Sequence, residues 1–309
     1  MQFLAIDRKS ARAFPSAPFR IRHSLADHPL LSLSALADLA TSLDRDRLEY
    51  NSGRLNPDQK PDETPGVDLP PAEVIRQIET AGAWMVLKHV ETVPAYRALI
   101  EGCLADAAGA IAGADPRSLG MTDFQGFIFV SSANAVTPFH LDYEQNFFVH
   151  ICGEKFMHVF DNSDRLLVPE SELETFPGKH RNLPYRESFE EKGEVYRFLP
   201  GEGIFLPYTW PHWVRTGSEW TISMAITWKS PDNLRLNKLY FVNALMRKIG
   251  LPQPHPGRVR MWDAVKVAAY TALRAGMEPL RRSEPMRRRL RQILFGRKAN
   301  YFYRPKSEA

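Results

Sequence analysis

Between Phe124 and Trp228 the chain falls into short runs of aromatic and β-branched residues: FQGFIFVSS, NFFVHICG, KFMHVF, VYRFLPGEGIFLP and WTISMAITW, broken by Gly, Pro, Asn and Asp. Runs this short predict strands of an antiparallel sandwich or barrel. On either side the period changes. Pro70 and Pro71 followed by AEVIRQIETAG predict a helix ending at Gly82, Ala83–His89 a strand, and Pro94–Ile111 a helix with Tyr96, Leu99, Cys103, Leu104 and Ala107 on one stripe. After Trp228 three helices are expected: Asn233–Ile249, with Leu234, Phe241, Leu245 and Ile249 near one face and a stop at Gly250 and Pro252, then Met261–Arg274 and Pro285–Phe295. The first stretch, to about Asp68, is weakly patterned, and Leu55–Pro71 reads as a loop rich in Pro and Asp. Asn162–Glu194 is an acidic excursion, helical in part at Glu170–Phe176, and reads either as a solvated loop or as a lid. The expected organisation is a helical and mixed wrap over 1–120, a β core over 121–230 and a helical region over 231–309.

Composition changes this picture little. At 309 residues, 44% hydrophobic and 25% charged, the chain suits one large soluble domain with appendages better than two domains. No apolar run is long enough to span a bilayer and the N-terminus does not read as a secretory leader, which makes the cytoplasm the expected location. Cys103 and Cys152 are too few for a disulfide framework and read as reduced thiols.

Charge changes it more. Residues 231–309 carry 18 Lys and Arg against 5 Asp and Glu, a balance of +13, while the remainder carries 22 against 31. In the last helix Met286, Leu290, Ile293 and Leu294 form an apolar stripe opposite the arginines of the basic tail, Arg281, Arg282, Arg287, Arg288, Arg289 and Arg291. Packing of that stripe on the body or on a second subunit ranks first, giving a homodimer built by 231–295. An anionic membrane surface ranks second. Nucleic acid ranks last, because neither a reading helix nor an aromatic platform accompanies the charge.

The chemistry concentrates at Thr137-Pro-Phe-His140-Leu-Asp142. His and Asp two apart on an extended chain point the same way. A third ligand is supplied by His212, which follows a glycine-rich turn, an apolar strand and Pro211 in GEGIFLPYTWPH. Two imidazoles and one carboxylate leave about three positions open on iron, enough for a bidentate 2-oxo acid and dioxygen; a zinc hydrolase uses the same donors. Alone, His-x-Asp is common by chance. Lys155 narrows the choice: expected on a strand paired through the Gly153 turn with Asn146–Ile151, a lysine inside a β core must meet an anion, and the distal carboxylate of 2-oxoglutarate is one. Thr137 adds a hydroxyl donor. Period-2 alternation puts Asn146, Phe148 and His150 on one face, where the Asn146 amide can reach the metal-bound carboxylate of the oxo acid. His150 is either a pocket or a core residue, His158 reads as structural, and His23 and His180 as surface residues. Trp210, Trp213, Trp220 and Trp228 read mostly as packing, with Trp210 or Trp213 able to close a wall of the site.

At TPFHLDYEQNFFVHICGEK and LPGEGIFLPYTWPHW the sequence resembles the cupin-like JmjC family of Fe(II)/2-oxoglutarate oxygenases, the branch with the asparaginyl hydroxylase of the hypoxia-inducible factor and its bacterial relatives. The resemblance covers Phe124–Lys229. It implies a double-stranded β-helix (jelly-roll) core, with His140, Asp142 and His212 holding iron. It also implies Lys155, Thr137 and Asn146 as contacts of 2-oxoglutarate, and oxidative decarboxylation to succinate coupled to hydroxylation of a C–H bond. One departure is expected: Ala225 stands where several relatives have an asparagine near the oxo acid. The substrate is open among a protein side chain, a metabolite, and a lipid or saccharide headgroup. The rivals are a non-catalytic, ligand-binding cupin and a metal enzyme that needs no oxo acid. The intact triad argues against the first and Lys155 against the second.

Overall fold

The computed structural model describes residues 2–174, 182–281 and 283–295. Its strands are β1 (Leu4–Ala5), β2 (Phe19–His23), β3 (Leu48–Ser52), β4 (Ala83–Lys88), β5 (Thr122–Ser131), β6 (Val136–His140), β7 (Gln145–Cys152), β8 (Lys155–Phe160), β9 (Gly193–Phe198), β10 (Glu202–Leu206), β11 (His212–Thr216) and β12 (Thr221–Lys229). Its α-helices are α1 (Arg8–Ala11), α2 (Leu33–Ser42), α3 (Pro71–Arg76), α4 (Pro94–Ala112), α5 (Glu170–Leu173), α6 (Pro231–Lys248), α7 (Arg260–Arg281) and α8 (Glu284–Phe295).

The strands form two antiparallel sheets, a large one in the order β1-β2-β10-β7-β12-β5-β4-β3 and a small one in the order β6-β11-β8-β9. From β5 to β12 the chain crosses repeatedly between them, so that β10-β7-β12-β5 faces β6-β11-β8-β9. That arrangement is the double-stranded β-helix, or jelly roll. It corrects one expectation: β7 and β8 do not pair with each other through the Gly153 turn. β7 pairs with β10 and β12, and β8 with β11 and β9. The turn is a corner between sheets, and it needs glycine: Gly153 has φ +78°, and a Cβ there would lie 2.4 Å from the Trp220 carbonyl oxygen.

Alternation along the strands divides the core in two. Phe148, Met157, Val159, Tyr196, Phe198, Ile204, Leu206 and Val214 pack between the sheets. The other face of the large sheet, with Phe147, Val149, Phe205, Ile226 and Trp228, packs with Leu36, Val74, Leu99, Ile100 and Cys103 of α2, α3 and α4. Burial on both faces explains why β7 and β12 read as nearly continuous apolar runs. α4 buries its predicted stripe and ends at Gly113, φ +62°. α3 is shorter than expected, giving way to a turn after Arg76, and Gly82 (φ +58°) leads into β4. In the weakly patterned N-terminus, β2 alternates buried Phe19, Ile21 and His23 with exposed Arg20 and Arg22, and α2 is capped by Ser32.

The chain divides into two compact units, residues 1–162 with 182–230, and residues 163–181 with 231–309. The acidic excursion is therefore shared between them. In the second unit Arg247 of α6 binds the buried Glu174 carboxylate through two nitrogens, at 2.6 and 3.0 Å. α6 does not bury the face expected of it: Leu234 and Ile249 are exposed, and the buried positions are Asn233, Leu239, Tyr240 and Asn243. The reason is polar: buried Lys266 of α7 donates to Asn243 (2.8 Å) and pairs with buried Asp263 (3.3 Å), so this contact is organised around a charge pair. α7 runs past its expected end at Arg274, through Pro279. Of the expected features, Phe176, His180 and Arg282 and the side chains of Arg281, Arg291 and Leu294 lie outside the described residues. Among the described residues no helix is long and apolar enough to cross a membrane.

Candidate metal centre

His140 closes β6 and His212 opens β11, and the two stand opposite each other in the strand register. Cross-strand partners share a face, which brings both imidazoles to one side, their ring centroids 4.2 Å apart. Asp142 lies just past the end of β6, with Oδ2 4.0 Å from His212 Nε2. One donor atom from each of the three side chains lies within 4.8 Å of the others. Each imidazole is held by a carbonyl oxygen: His140 Nδ1 lies 2.7 Å from the Pro138 oxygen and His212 Nδ1 3.0 Å from the Trp210 oxygen. A carbonyl only accepts, so Nδ1 carries a hydrogen, and in the neutral ring this leaves the lone pair on Nε2, the tautomer a metal ligand needs. Burial pushes the His212 pKa down to about 4, with the neighbouring His140 adding to the effect, and this keeps the ring neutral. Two imidazoles and a carboxylate are a donor set that iron(II) accepts.

The other predicted residues face the same interior. Register places Lys155 opposite Thr216 and Phe198, on the face shared with Met157, Val159 and Val214. Lys155 is buried, its Nζ 5.7 Å from the centre of the Phe148 ring, and among the described residues no carboxylate pairs with it. Burial alone holds its pKa down to about 7. Thr137 reaches this interior through an irregularity. Strict alternation would turn it away from His140, but the register slips by one between His212/His140 and Val214/Thr137, so Pro138 and Phe139 together oppose Trp213. The bulge restores Thr137 to the inner face, and proline, which has no N–H to offer the ladder, sits within it.

Asn146 shares its face with Phe148 and pairs across to Leu206 on one side and Thr227 on the other. Its Oδ1 is buried without a hydrogen-bond partner, as is Thr227 Oγ1. Two buried polar atoms left open on adjacent strands of the inner face suit a polar ligand between the sheets. Ala225, by contrast, opposes Phe148, one inward position further along, so the residue beside Asn146 on the last strand is Thr227. Sequence reading missed it because the register of β12 against β7 shifts between Ile222 and Ser223.

The histidines sort cleanly. His150 is fully buried: its Nε2 donates to the Gly153 oxygen (2.9 Å), its Nδ1 accepts from Ser223 (3.0 Å), and burial pushes its pKa down to about 3, with the Lys155 charge contributing. Both ring nitrogens are used in closing the Gly153 corner, so it is a core residue. His23 is not on the surface. It is buried, its Nε2 donating to the carbonyls of His150 (2.9 Å) and Glu202 (3.1 Å) and its Nδ1 accepting from the Leu25 N–H. His158 points away from the interior and stacks on Trp213 at 3.8 Å, the two sharing the carboxylate of Glu190. Trp213 is thereby excluded as a wall of the site, while Trp210 packs on the inter-sheet cluster.

Segments outside the predicted core frame this centre. Phe139 donates its N–H to the Pro57 oxygen and Val136 to the Gly53 oxygen, so the 53–60 loop covers the free edge of β6. His140 makes a bridge with Asn182, which ties the returning leg of the excursion to the same strand.

No protein-family model and no curated protein matches the sequence. Among solved structures, the chain is similar to Escherichia coli ycfD at 13% identity and TM-score 0.49, covering 95% of this chain and 73% of that one. YcfD described as a ribosomal oxygenase in complex with cobalt and 2-oxoglutarate matches at 14% identity and TM-score 0.42, over 90% and 67%. The DMSP lyase DddQ of Ruegeria pomeroyi matches at 14% and 0.23, over 35% and 40%. Likeness this distant carries no functional weight, and the fold assignment rests on the strand order.

Proposed function

We propose that this protein is an Fe(II)- and 2-oxoglutarate-dependent oxygenase that hydroxylates a C–H bond of its substrate. The observation that carries the reading is the combination, on one inner face, of a two-histidine, one-carboxylate donor set and a buried lysine without a carboxylate partner. A purely structural metal would need neither open coordination positions nor a buried cation. A metal-dependent hydrolase would have no use for Lys155.

In this reading His140, Asp142 and His212 hold the metal, Lys155 pairs with the distal carboxylate of the oxo acid, and Thr137 adds a hydroxyl hydrogen bond from β6. Asn146 donates its amide to the carboxylate nearer the metal, with the Thr227 hydroxyl beside it. Iron(II) supplies redox activation of dioxygen once the oxo acid is bound. The protein's own groups fix orientation and exclude water: apolar Met157, Val159, Leu206 and Val214 line the space between the sheets.

The test is release of succinate from 2-oxoglutarate by the purified protein with Fe(II) and ascorbate, without any added substrate. Uncoupled turnover that disappears in His212→Ala supports an oxygenase. A protein that binds the metal and 2-oxoglutarate yet never yields succinate, with or without candidate substrates, is a non-catalytic cupin instead.

A further inference from the structure

Eleven of the thirteen large hydrophobic side chains exposed among the described residues belong to the second compact unit. Seven of these lie between Val259 and Ile293. Met261 (85% exposed), Val265 (54%) and Leu273 (50%) fall on one side of α7, with Ala268, Ala269 and Ala272 between them and no charge along that side. The opposite side carries buried Asp263 and Lys266, so this stripe is additional to the face that packs against α6. At about 1.5 Å per residue it runs for roughly 18 Å. Just ahead lies Arg258-Val-Arg-Met-Trp262, five exposed residues that alternate basic and apolar and end in a tryptophan. In α8, exposed Met286 and Ile293 share a side, flanked by exposed Arg287 and Arg289.

We propose that this unit binds the surface of an anionic lipid bilayer, α7 and α8 lying in the plane of the interface. An apolar stripe flanked by arginines, with a tryptophan at its edge, is the composition that partitions between headgroups and acyl chains. Among the described residues no helix is long and apolar enough to span, which fits lying on the surface. Charge selects the occupant. The region 231–309 carries a balance of +13, so two copies brought face to face would repel, whereas a negatively charged leaflet complements it.

The full-length protein is co-sedimented with vesicles of phosphatidylcholine alone or of equimolar phosphatidylcholine and phosphatidylglycerol. The expected result is binding to the anionic vesicles that salt reverses, and little to the neutral ones. Met261→Glu with Val265→Glu, both solvent-facing, should weaken that binding by about ten-fold or more with unchanged circular dichroism. Arg287→Gln and Arg289→Gln should each cost about five-fold. Should the glutamate pair unfold the chain, Trp262 decides: the difference in emission between wild type and Trp262→Phe must shift to the blue on anionic vesicles. Absence of that shift, equal binding to both vesicle types, or wild-type binding by the folded glutamate pair overturns the proposal. A dimer in sedimentation equilibrium that the glutamate pair converts to monomer, without vesicle binding, also overturns it and gives the face to a second copy.

Discussion

Lys155 is the residue whose environment asks most for a ligand. A buried ammonium without a carboxylate is costly, and burial relieves the cost by lowering the pKa to about 7. A dicarboxylate that pairs with it restores the charge, so binding takes up a proton wherever the free lysine is neutral. The affinity for 2-oxoglutarate should therefore hold below pH 7 and fall by up to about ten-fold per pH unit above it, until the pKa of the complex is reached. Calorimetry in two buffers of different ionisation enthalpy reads the proton directly. In Lys155→Ala the affinity should drop by roughly 100-fold, about 3 kcal/mol, and the slope above pH 7 should disappear; wild-type affinity in that variant removes the lysine from the site. His140 makes a separate prediction. Its side chain is held by the Pro138 carbonyl and faces His212 rather than an apolar core, so His140→Ala should fold normally and lose the metal, as read by metal analysis after dialysis.

At the level of elements, the site depends on two departures from regular strand geometry, and these were the least legible features of the sequence. The strands of the core, α4 and the triad could be read because burial and period coincide in them. The bulge at Pro138 and Phe139 could not, since counting residues from His140 puts Thr137 on the wrong face and only the partner strand reveals the slip. The same holds for Thr227, whose register against Asn146 depends on an irregularity several residues away. β2 has clean alternation, but five residues whose longer partner, β10, lies far along the chain carry little weight until the two are seen side by side. The Gly153 corner tests this dependence. Gly153→Ala meets both a positive φ and the Trp220 carbonyl, and should destabilise the protein by at least about 1–3 kcal/mol in urea titration. Because His150 donates to the Gly153 oxygen and Lys155 follows two residues later, the variant should also bind 2-oxoglutarate more weakly. A change in stability with unaltered affinity would show that the corner does not position Lys155.

The whole molecule places every proposed ligand contact in one compact unit and the exposed amphipathic helices in the other, and this division has a thermodynamic consequence. His140, Asp142, His212, Lys155, Thr137, Asn146 and Thr227 all lie within residues 1–162 and 182–230. Metal and oxo acid should therefore stabilise that unit by mass action, about 2.7 kcal/mol when the ligand stands a hundred-fold above its dissociation constant. Calorimetric scans with Mn(II) and 2-oxoglutarate should raise the transition of this unit by several degrees and leave that of the helical unit in place. A single transition moving as a whole would show that the two unfold together. The buried neutral imidazoles set the pH dependence of the same transition. His23 and His150 both have pKa values lowered by burial, His150 to about 3, while an unfolded histidine titrates near 6.5. Between those limits the unfolded chain binds more protons than the folded one, so stability must rise with pH and be lost as pH falls from 6.5 toward 4. Lys155 acts in the same sense at higher pH: its lowered pKa makes the ligand-free unit gain stability from about pH 7 upward. The gain should vanish when 2-oxoglutarate is bound, because the pair then favours the charged lysine. Ligand-free and ligand-bound stability curves that stay parallel between pH 7 and 9 would mean that Lys155 is not the group the oxo acid meets.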